Sequence, residues 1–316
     1  MNATSAIRAS AERNPVTVAA GAVVVMFLWA LCFPLISIGL DASPPMTFAT
    51  LRALVSGVAL LLVAQVLQRP PITGRSRWAG VIVVGLTATS VGFFGMFYGG
   101  GRLSPGLATV IANTQPLIAA VLAWGVLDEQ LSPIQRLGLG AGFGGIVLIG
   151  APGLFGSESQ LVGFLLITAA ALGIAVSNVV LKRLAGQVDP IRAMGWQLVI
   201  GSVPLGALAV AIESPSNIAW SAGFVINLMV LSVVGTAAAF WLWFSLLRRA
   251  SLSQLNVYTF LTPVFGLVMG GVFFAEQIHA SAYIGIGLSL LGIVWVNRTA
   301  KASATAPVIV KSGGDG

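Results

Sequence analysis

The sequence predicts an all-α membrane protein with ten transmembrane helices, arranged as two inverted five-helix repeats. Three observations predict this fold. The 316-residue chain is 57% hydrophobic and only 8% charged, whereas a soluble domain carries about a quarter charged residues to solvate its surface. Ten apolar stretches follow one another, most of them close to the ~20 residues that a membrane-spanning helix needs. The second half of the chain also repeats the first at a fixed offset.

Short polar or helix-breaking clusters separate the apolar stretches and predict the helix ends. Ser104-Pro105 and Ser132-Pro133 are typical of an N-cap followed by proline in the first helical turn. The predicted spans are residues 16–40, 45–67, 77–99, 104–127, 134–150, 161–182, 190–212, 222–247, 253–275 and 281–297.

The basic residues predict the orientation of these spans. With the N-terminus in the cytoplasm and ten crossings, fourteen of the 16 Lys and Arg residues fall on the cytoplasmic side. Arg102 alone falls outside, and Arg52 lies within the second span. This is the positive-inside bias of membrane proteins. It accounts for the net charge of +7 without nucleic acid, which we do not expect as a partner.

Four segments follow from this topology. They are a cytoplasmic N-terminal segment (1–15), a first repeat (16–150), a second repeat (151–298) and a cytoplasmic tail (299–316) that we expect to be disordered. The first apolar run is too long for a signal-peptide core and lacks a convincing cleavage site, so we expect a retained helix. The predicted location is the inner (plasma) membrane, with multiple passes and both termini in the cytoplasm.

The internal repeat is visible without a gap when the chain is shifted by 147 residues, which places Phe97–Ile149 over Phe244–Val296. Pairs of identical proline, glutamate and arginine in one register are not expected by chance in an apolar chain. Because each repeat has five crossings, an odd number, the second copy enters the membrane upside down. Inverted repeats are typical of secondary transporters with a substrate site near the midplane.

These residues resemble the drug/metabolite transporter superfamily, of the EamA type. Each half has a mid-helix proline, then a glutamate at the helix end, then a short glycine-rich helix. In this sequence the pattern is Pro116, Glu129 and Gly138–Gly145, repeated as Pro263, Glu276 and Gly285–Gly292. The resemblance implies a transporter of small metabolites, and relatives of this appearance export amino acids, drugs and other metabolites or carry nucleotide sugars or sugar phosphates.

Other function classes lack the residues they need. A single cysteine (Cys32), a single histidine (His279) and no midplane acids do not supply an enzyme's nucleophile, paired carboxylates or metal cluster. No phosphate-binding GxxxxGK[ST] motif is present for an ATP-driven pump. We therefore expect no enzymatic activity, no cofactor and no metal. A channel, or less readily a non-transporting scaffold or receptor, stays open as an alternative.

The candidate site consists of polar and aromatic residues placed near the membrane centre, where such groups normally face the bundle interior or a water-filled cavity. For any one of them, an interhelical hydrogen bond or lipid-facing packing is the alternative. Pro116 and Pro263 break helices four and nine, as hinges or as static kinks. The predicted substrate-binding residues are Trp29, Ser90, Tyr98, Asn113, Asn178, Thr236, Trp241, Tyr258 and Thr259.

The charges predict the kind of cargo. The absence of a midplane carboxylate favours facilitated diffusion or exchange over proton or sodium coupling. Arg52 is expected to snorkel or to form a pair rather than to bind substrate. A neutral cavity suits a zwitterionic or uncharged solute, so amino-acid export is the expectation, with a drug, sugar or nucleotide sugar as alternatives. The expected partners are this small-molecule substrate and the lipid bilayer, and we expect a monomer or a weak homodimer. Small residues four apart on helices five and ten predict a close contact between these two helices within the chain, with a dimer face as the alternative.

Overall fold

The computed structural model describes residues 15–100, 102, 111–127, 132–150, 158–274, 283–288, 290–292 and 295. These residues form helices and short connections, without β-strands among them. In chain order the helices are α1 (Pro15–Leu40), α2 (Pro45–Val66), α3 (Arg75–Val84, π-helical Gly85–Val91, Gly92–Gly100), α4 (Gln115–Leu127), α5 (Pro133–Gly150), α6 (Glu158–Leu184), α7 (Pro190–Ile212), α8 (Ala222–Ser232, π-helical Val233–Ala238, Ala239–Leu247) and α9 (Leu252–Asn256, 3-10 Val257–Phe260, Leu261–Phe274). A shorter apolar helix, α10, covers Tyr283–Gly292.

Six of these helices are long and apolar enough to cross a membrane, which makes the chain a multi-pass membrane protein. They are α1, α2, α3, α6, α7 and α8. Most of the helix bounds lie within three residues of the predicted spans. The predicted terminal segments, the start of the fourth span with its Ser104 cap, and the acids Glu129 and Glu276 lie outside the described residues, as does His279.

Capping hydrogen bonds define several helix starts. The predicted cap at Ser132 is confirmed, because its hydroxyl accepts from the amide of Gln135 and the Gln135 side chain accepts from the amide of Ser132. This reciprocal pair is a capping box, which satisfies two otherwise unpaired backbone N–H groups. Asp189 caps α7 with a carboxylate alone, accepting from the amides of Ile191 and Arg192.

The central pair of helices, α2 and α7, is antiparallel and fastened at both ends. At one end, the Glu213 carboxylate accepts from the amides of Met46 and Thr47 at 2.8 and 2.9 Å, so the end of α7 caps the start of α2. A carboxylate there satisfies free N–H groups and complements the helix dipole. At the other end, Arg192 Nε donates to the carbonyl oxygen of Arg69, at 2.9 Å, just beyond α2.

The helix contacts repeat when the two halves are exchanged. α1 packs on α8 and α9, and α6 packs on α3 and α4. Likewise α2 packs on α7 and α8, and α7 packs on α2 and α3. Exchanging α1 with α6, α2 with α7, α3 with α8 and α4 with α9 therefore converts each of these contacts into another one.

The predicted contact between helices five and ten is also present. A Cβ atom added to Gly292 of α10 would lie 2.5 Å from the carbonyl oxygen of Gly138 on α5. By contrast, Gly140 and Gly144 of α5 have no atom within 4 Å of that position. Small residues thus allow close backbone approach on one face of α5.

Apolar side chains form both the interior and the outer surface of the bundle. Phe48, Phe244 and Phe260 are fully buried between helices. Val66, Val210 and Val272 are exposed, as are many other large apolar side chains, which is the pattern expected where lipid replaces water as the solvent. The polar interior groups described next are therefore exceptions in an apolar structure.

Candidate functional site

A buried guanidinium lies at the centre of the interior polar groups. Arg52 of α2 is only 6% exposed. Its Nε donates to the hydroxyl of Thr236 on α8 at 2.8 Å, and its Nη2 lies 3.3 Å from Cys32 Sγ on α1. The ring of Phe93 on α3 lies 4.7 Å below the guanidinium carbon. Four helices thus surround this cation.

The partners of Arg52 are all uncharged. Among the described residues, no carboxylate lies within ion-pair distance of it. The described acids are elsewhere: Asp41 is exposed, Asp189 and Glu213 cap helices, and Glu158 is the first residue of α6. A guanidinium has five N–H donors, and two of its three nitrogens are engaged here. The cation therefore retains both its charge and donors for a further acceptor.

The π-helical turn of α8 presents Thr236 to Arg52. Its hydroxyl accepts from Arg52 and donates to the carbonyl of Leu231, five residues earlier, at 2.9 Å. One turn further along α2, the Ser56 hydroxyl donates to the carbonyl oxygen of Ser232 at 2.8 Å. Single π turns in α-helices occur frequently at functional sites.

The other half of the chain contains the corresponding pair with a neutral side chain. Gln197 is the eighth residue of α7, as Arg52 is the eighth residue of α2. Its Oε1 accepts from the hydroxyl of Thr89 at 2.8 Å. Thr89 lies in the π turn of α3, 147 residues before Thr236. The same helix-to-π-turn contact therefore has a cation in one half and an amide in the other.

The same two helices of each half are joined by a second hydrogen bond, which runs in opposite directions in the two halves. The Ser90 hydroxyl on α3 donates to the carbonyl oxygen of Gly201 on α7 at 2.8 Å, whereas the Ser56 hydroxyl on α2 donates to the carbonyl oxygen of Ser232 on α8. Ser90 thus forms an interhelical hydrogen bond, the alternative considered for it from the sequence. The two helices approach closely here, since a Cβ on Gly201 would lie 2.5 Å from the carbonyl oxygen of Gly85.

Aromatic rings continue the interior face from Arg52. Trp29 is one turn before Cys32 on α1, and its ring lies 5.3 Å from that of Trp243 and 6.1 Å from that of Phe240. The Trp243 Nε1 donates to Asn178 Oδ1 on α6 at 2.9 Å. Trp29 Nε1 is buried without a hydrogen-bond partner. Because buried polar groups normally have a partner, this N–H marks a place for an acceptor.

Helix α4 is irregular next to its proline. Residues 111–112 are helical, Asn113 and Thr114 form a turn, and α4 proper begins at Gln115. Asn113 and Pro116 are both buried. Gln115 Nε2 is buried without a partner. The break precedes Pro116, as expected for a residue that disfavours helical geometry before it.

Helix α9 is irregular at the equivalent place. A 3-10 segment, Val257–Phe260, precedes Pro263 and contains Tyr258 and Thr259, both buried. The Thr259 hydroxyl donates to the carbonyl oxygen of Asn256. The Asn256 side chain is fully buried, and neither its Oδ1 nor its Nδ2 has a partner. Both broken helices therefore contain an unsatisfied interior amide near the break.

Two predicted site residues lie apart from this interior. Tyr98 stacks on Phe94, 5.5 Å between centroids, and the guanidinium carbon of Arg102 lies over the Tyr98 ring at 4.8 Å near the end of α3. Trp241 is 41% exposed and lines a separate cavity at the other end of the bundle. The structure thus brings three predicted site residues, Thr236, Trp29 and Asn178, into one series of contacts, whose other members are Arg52, Cys32, Phe240 and Trp243. A substrate-binding role stays a prediction for every residue of the predicted site.

The predicted site does not include four interior polar residues. Arg52 was expected to snorkel or pair; instead it is buried among neutral groups, because it lies about 10 Å from the start of α2 at 1.5 Å per residue. The sequence points to Gln197 only through its position, which matches that of Arg52 when α2 and α7 are aligned from the prolines at which they begin. Gln115 and Asn256 adjoin the two prolines, and their proximity to a helix break is the signal for them.

The fold and this interior define a multi-pass helical membrane protein with repeated halves. The model of the EamA-like transporter family matches residues 17–151 and again residues 161–298. The chain belongs to this family, within the drug/metabolite transporter superfamily, and its general function is that of a transporter.

Similar proteins agree with this assignment. The chain is 32% identical to the uncharacterized transporter YvbV of Bacillus subtilis, over 90% of this chain and 92% of that protein. It is 25% identical to a protein of Escherichia coli named as a probable amino-acid metabolite efflux pump, over 86% and 92% of the two chains. A crystal structure with 19% identity matches with a TM-score of 0.76, over 92% of this chain and 99% of that one, which shows the shared fold.

Proposed function

We propose that the protein is a secondary transporter that moves small apolar amino acids across the inner membrane by alternating access. In this proposal ten helices form two inverted halves, and both termini are cytoplasmic. The substrate lies between the halves, with its carboxylate on Arg52. The name of the Escherichia coli relative, a probable amino-acid metabolite efflux pump, supports this class of cargo.

The single observation that carries the proposal is the difference between Arg52 and Gln197. Each side chain belongs to the eighth residue of its helix and forms a hydrogen bond with a threonine in a π turn. Gln197 forms this hydrogen bond through a neutral amide. The positive charge of Arg52 is therefore not needed for packing. A buried charge is costly unless a counter-charge accompanies it, and the described residues supply none. A substrate carboxylate is such a counter-charge.

The neighbouring rings fit the rest of an apolar amino acid. Phe93 lies against the guanidinium. Trp29 lies one helical turn from Cys32, which contacts Arg52, and packs against Phe240 and Trp243. Small-molecule pockets are typically lined by apolar and aromatic side chains, with a few polar or charged groups that fix the orientation of the ligand. Arg52 beside these aromatic rings has this composition. An aromatic face also accepts a substrate ammonium group by cation–π contact.

The exchange of contacts between the halves supports alternating access. Because α1 with α8 and α9 corresponds to α6 with α3 and α4, the two halves can adopt each other's conformation. Pro116 and Pro263 lie at matched breaks in α4 and α9, and we assign them the role of hinges. Among the described residues no acid lies in the interior, which supports exchange or facilitated diffusion over ion coupling.

Counterflow in proteoliposomes tests this function. Purified protein is reconstituted, loaded with an unlabelled apolar amino acid such as leucine, and exposed to labelled leucine outside. A carrier gives transient accumulation that saturates with concentration. Uptake that never exceeds that of protein-free liposomes, for any amino acid tried, would falsify the proposal.

The Arg52→Gln variant tests the carboxylate contact separately. Glutamine copies the neutral residue of the other half, so the fold is expected to persist. Loss of a charge-assisted hydrogen bond of about 1.5–3 kcal/mol predicts that KM for leucine rises about 10-fold to 100-fold. The control variant, Arg75→Gln, removes an exposed charge and should leave KM unchanged. The wild type and Arg52→Gln are also compared for their preference for leucine over the corresponding amine, which lacks the carboxylate. If this preference is the same in both proteins, Arg52 does not contact the carboxylate.

A further inference from the structure

A cavity, separate from the interior site, opens at the end of the bundle where α7 begins and α8 ends. It has a volume of about 280 Å³. Its rim carries Arg69, Arg248 and Arg249, and its wall includes Asp189, Ile191 and Trp241. The sequence places this end in the cytoplasm. The transport proposal uses none of the three arginines.

The cavity has a surplus of positive charge. Among the described residues its one acid is Asp189, which already accepts two backbone hydrogen bonds through Oδ1 at the start of α7. Its Oδ2 lies 3.9 Å from Arg69 Nε. Arg248 and Arg249 are exposed, and no carboxylate among the described residues pairs with either. Three guanidinium groups and one carboxylate give an excess of positive charge that a bound anion can neutralise.

The cavity also changes from polar to apolar along α8. Trp241 precedes Arg248 by seven residues, and seven residues of helix correspond to about 10 Å. Trp241 is 41% exposed, so its ring faces outward at a depth below the arginines. A tryptophan in this position is typical of the zone between headgroups and hydrocarbon. A ligand that fills the site therefore has an anionic end and an apolar end.

We propose that this cavity binds the headgroup of an anionic phospholipid. The phosphate contacts Arg248, Arg249 and the free donors of Arg69, and the glycerol and first acyl carbons lie against Trp241 and Ile191. Anionic lipids are attracted to basic groups at the cytoplasmic surface, and basic pockets between helices there bind lipid headgroups. In this assignment Trp241 contacts lipid and takes no part in binding the transported solute.

Native mass spectrometry of the purified full-length protein tests the site, with titrated phosphatidylglycerol, phosphatidylcholine or soluble glycerol 3-phosphate. We expect one saturable phosphatidylglycerol adduct. At about 1 kcal/mol for each arginine, the Arg248→Gln/Arg249→Gln variant should bind it about 30-fold more weakly. The matched control, Arg75→Gln/Arg136→Gln, removes two exposed charges outside the cavity and should bind as the wild type does.

Three results would overturn the proposal. Equal weakening in the control variant means general surface attraction. Equal binding of glycerol 3-phosphate means a site for a soluble phosphate. Equal binding of phosphatidylcholine means a lipid contact without anion recognition. Should the double arginine variant fail to fold, Arg249→Gln alone replaces it, with weaker phosphatidylglycerol binding and unchanged leucine counterflow expected. Unchanged lipid binding or lost counterflow in that variant contradicts the assignment.

Discussion

Arg52 Nε lies 2.8 Å from the hydroxyl oxygen of Thr236, and this bond joins two residues 184 positions apart. It fastens α2 to the π turn of α8 and fixes the direction of the guanidinium. Thr236 is fully buried, so water does not replace it as an acceptor. The orientation of the proposed carboxylate contact thus depends on a side chain that does not itself need to touch the substrate.

Thr236→Val is therefore expected to weaken substrate binding. Valine keeps the shape of threonine but removes the acceptor, and hydrogen bonds to charged groups contribute about 1.5–3 kcal/mol. KM for leucine in proteoliposomes should rise, whereas the maximal rate should change less. Thr236→Ser keeps the hydroxyl and should restore KM to nearly the wild-type value.

The matched control is Thr89→Val in the other half. It removes the corresponding bond to Gln197, which joins two neutral groups. Such a bond contributes about 1 kcal/mol to stability, so the variant should unfold at a slightly lower temperature with KM unchanged. An equal rise of KM in both variants would mean that both contacts act only through packing.

The carboxylate of Glu213 gives a prediction about stability. It accepts from two amides at the start of α2 and from the Thr47 hydroxyl. Glu213→Ala leaves these donors unpaired and is expected to cost about 2 kcal/mol. Thermal unfolding of the protein in detergent measures this cost. Asp41→Ala, which removes an exposed acid from the neighbouring loop, should leave the midpoint unchanged; equal shifts would contradict the capping role.

Much of the helical framework was predictable because its signals are local. Apolar length determines the spans, and Ser132 with Gln135 three residues later marks a helix start. The register of 147 residues was visible from Phe97 and Phe244 onward, and the structure extends it back to Thr89 and Thr236 in the two π turns. These features depend on residues close in sequence or on a repeat visible in it.

The interior site was predictable only in part because its contacts join distant residues. Nothing near Arg52 in the sequence indicates Thr236 or Cys32 as partners, so its burial among neutral groups was not foreseen. Hydropathy also does not distinguish Trp241, which faces outward, from Trp243, which is buried and bonded to Asn178. Two residues apart on one helix, their roles depend on which face the neighbouring helices cover.

Glycine spacing on α5 gives a test of helix packing. A Cβ on Gly142 would lie 2.1 Å from the ring of Phe260, which is fully buried in the 3-10 segment of α9. Gly142→Ala should therefore displace this segment and lower the unfolding temperature, at a cost of about 1–3 kcal/mol for overpacking. Gly140→Ala, two residues away with no atom within 4 Å, should be neutral or slightly stabilising. The opposite ranking in thermal unfolding would show that α5 packs through its other face.

The proposed orientation predicts which introduced thiols react from outside. Ser76 at the start of α3 and Asn217 between α7 and α8 are both exposed. An even number of predicted crossings separates Ser76 from the cytoplasmic N-terminus, so Ser76 is predicted to be cytoplasmic. An odd number precedes Asn217, which is therefore predicted to lie outside. In right-side-out membrane vesicles, a membrane-impermeant maleimide should label Asn217→Cys and should label Ser76→Cys only after permeabilisation. The native Cys32 is buried, so the wild-type protein serves as the unlabelled control. Labelling of Ser76→Cys in sealed vesicles would reverse the orientation and would move the arginine-rimmed cavity to the outer surface.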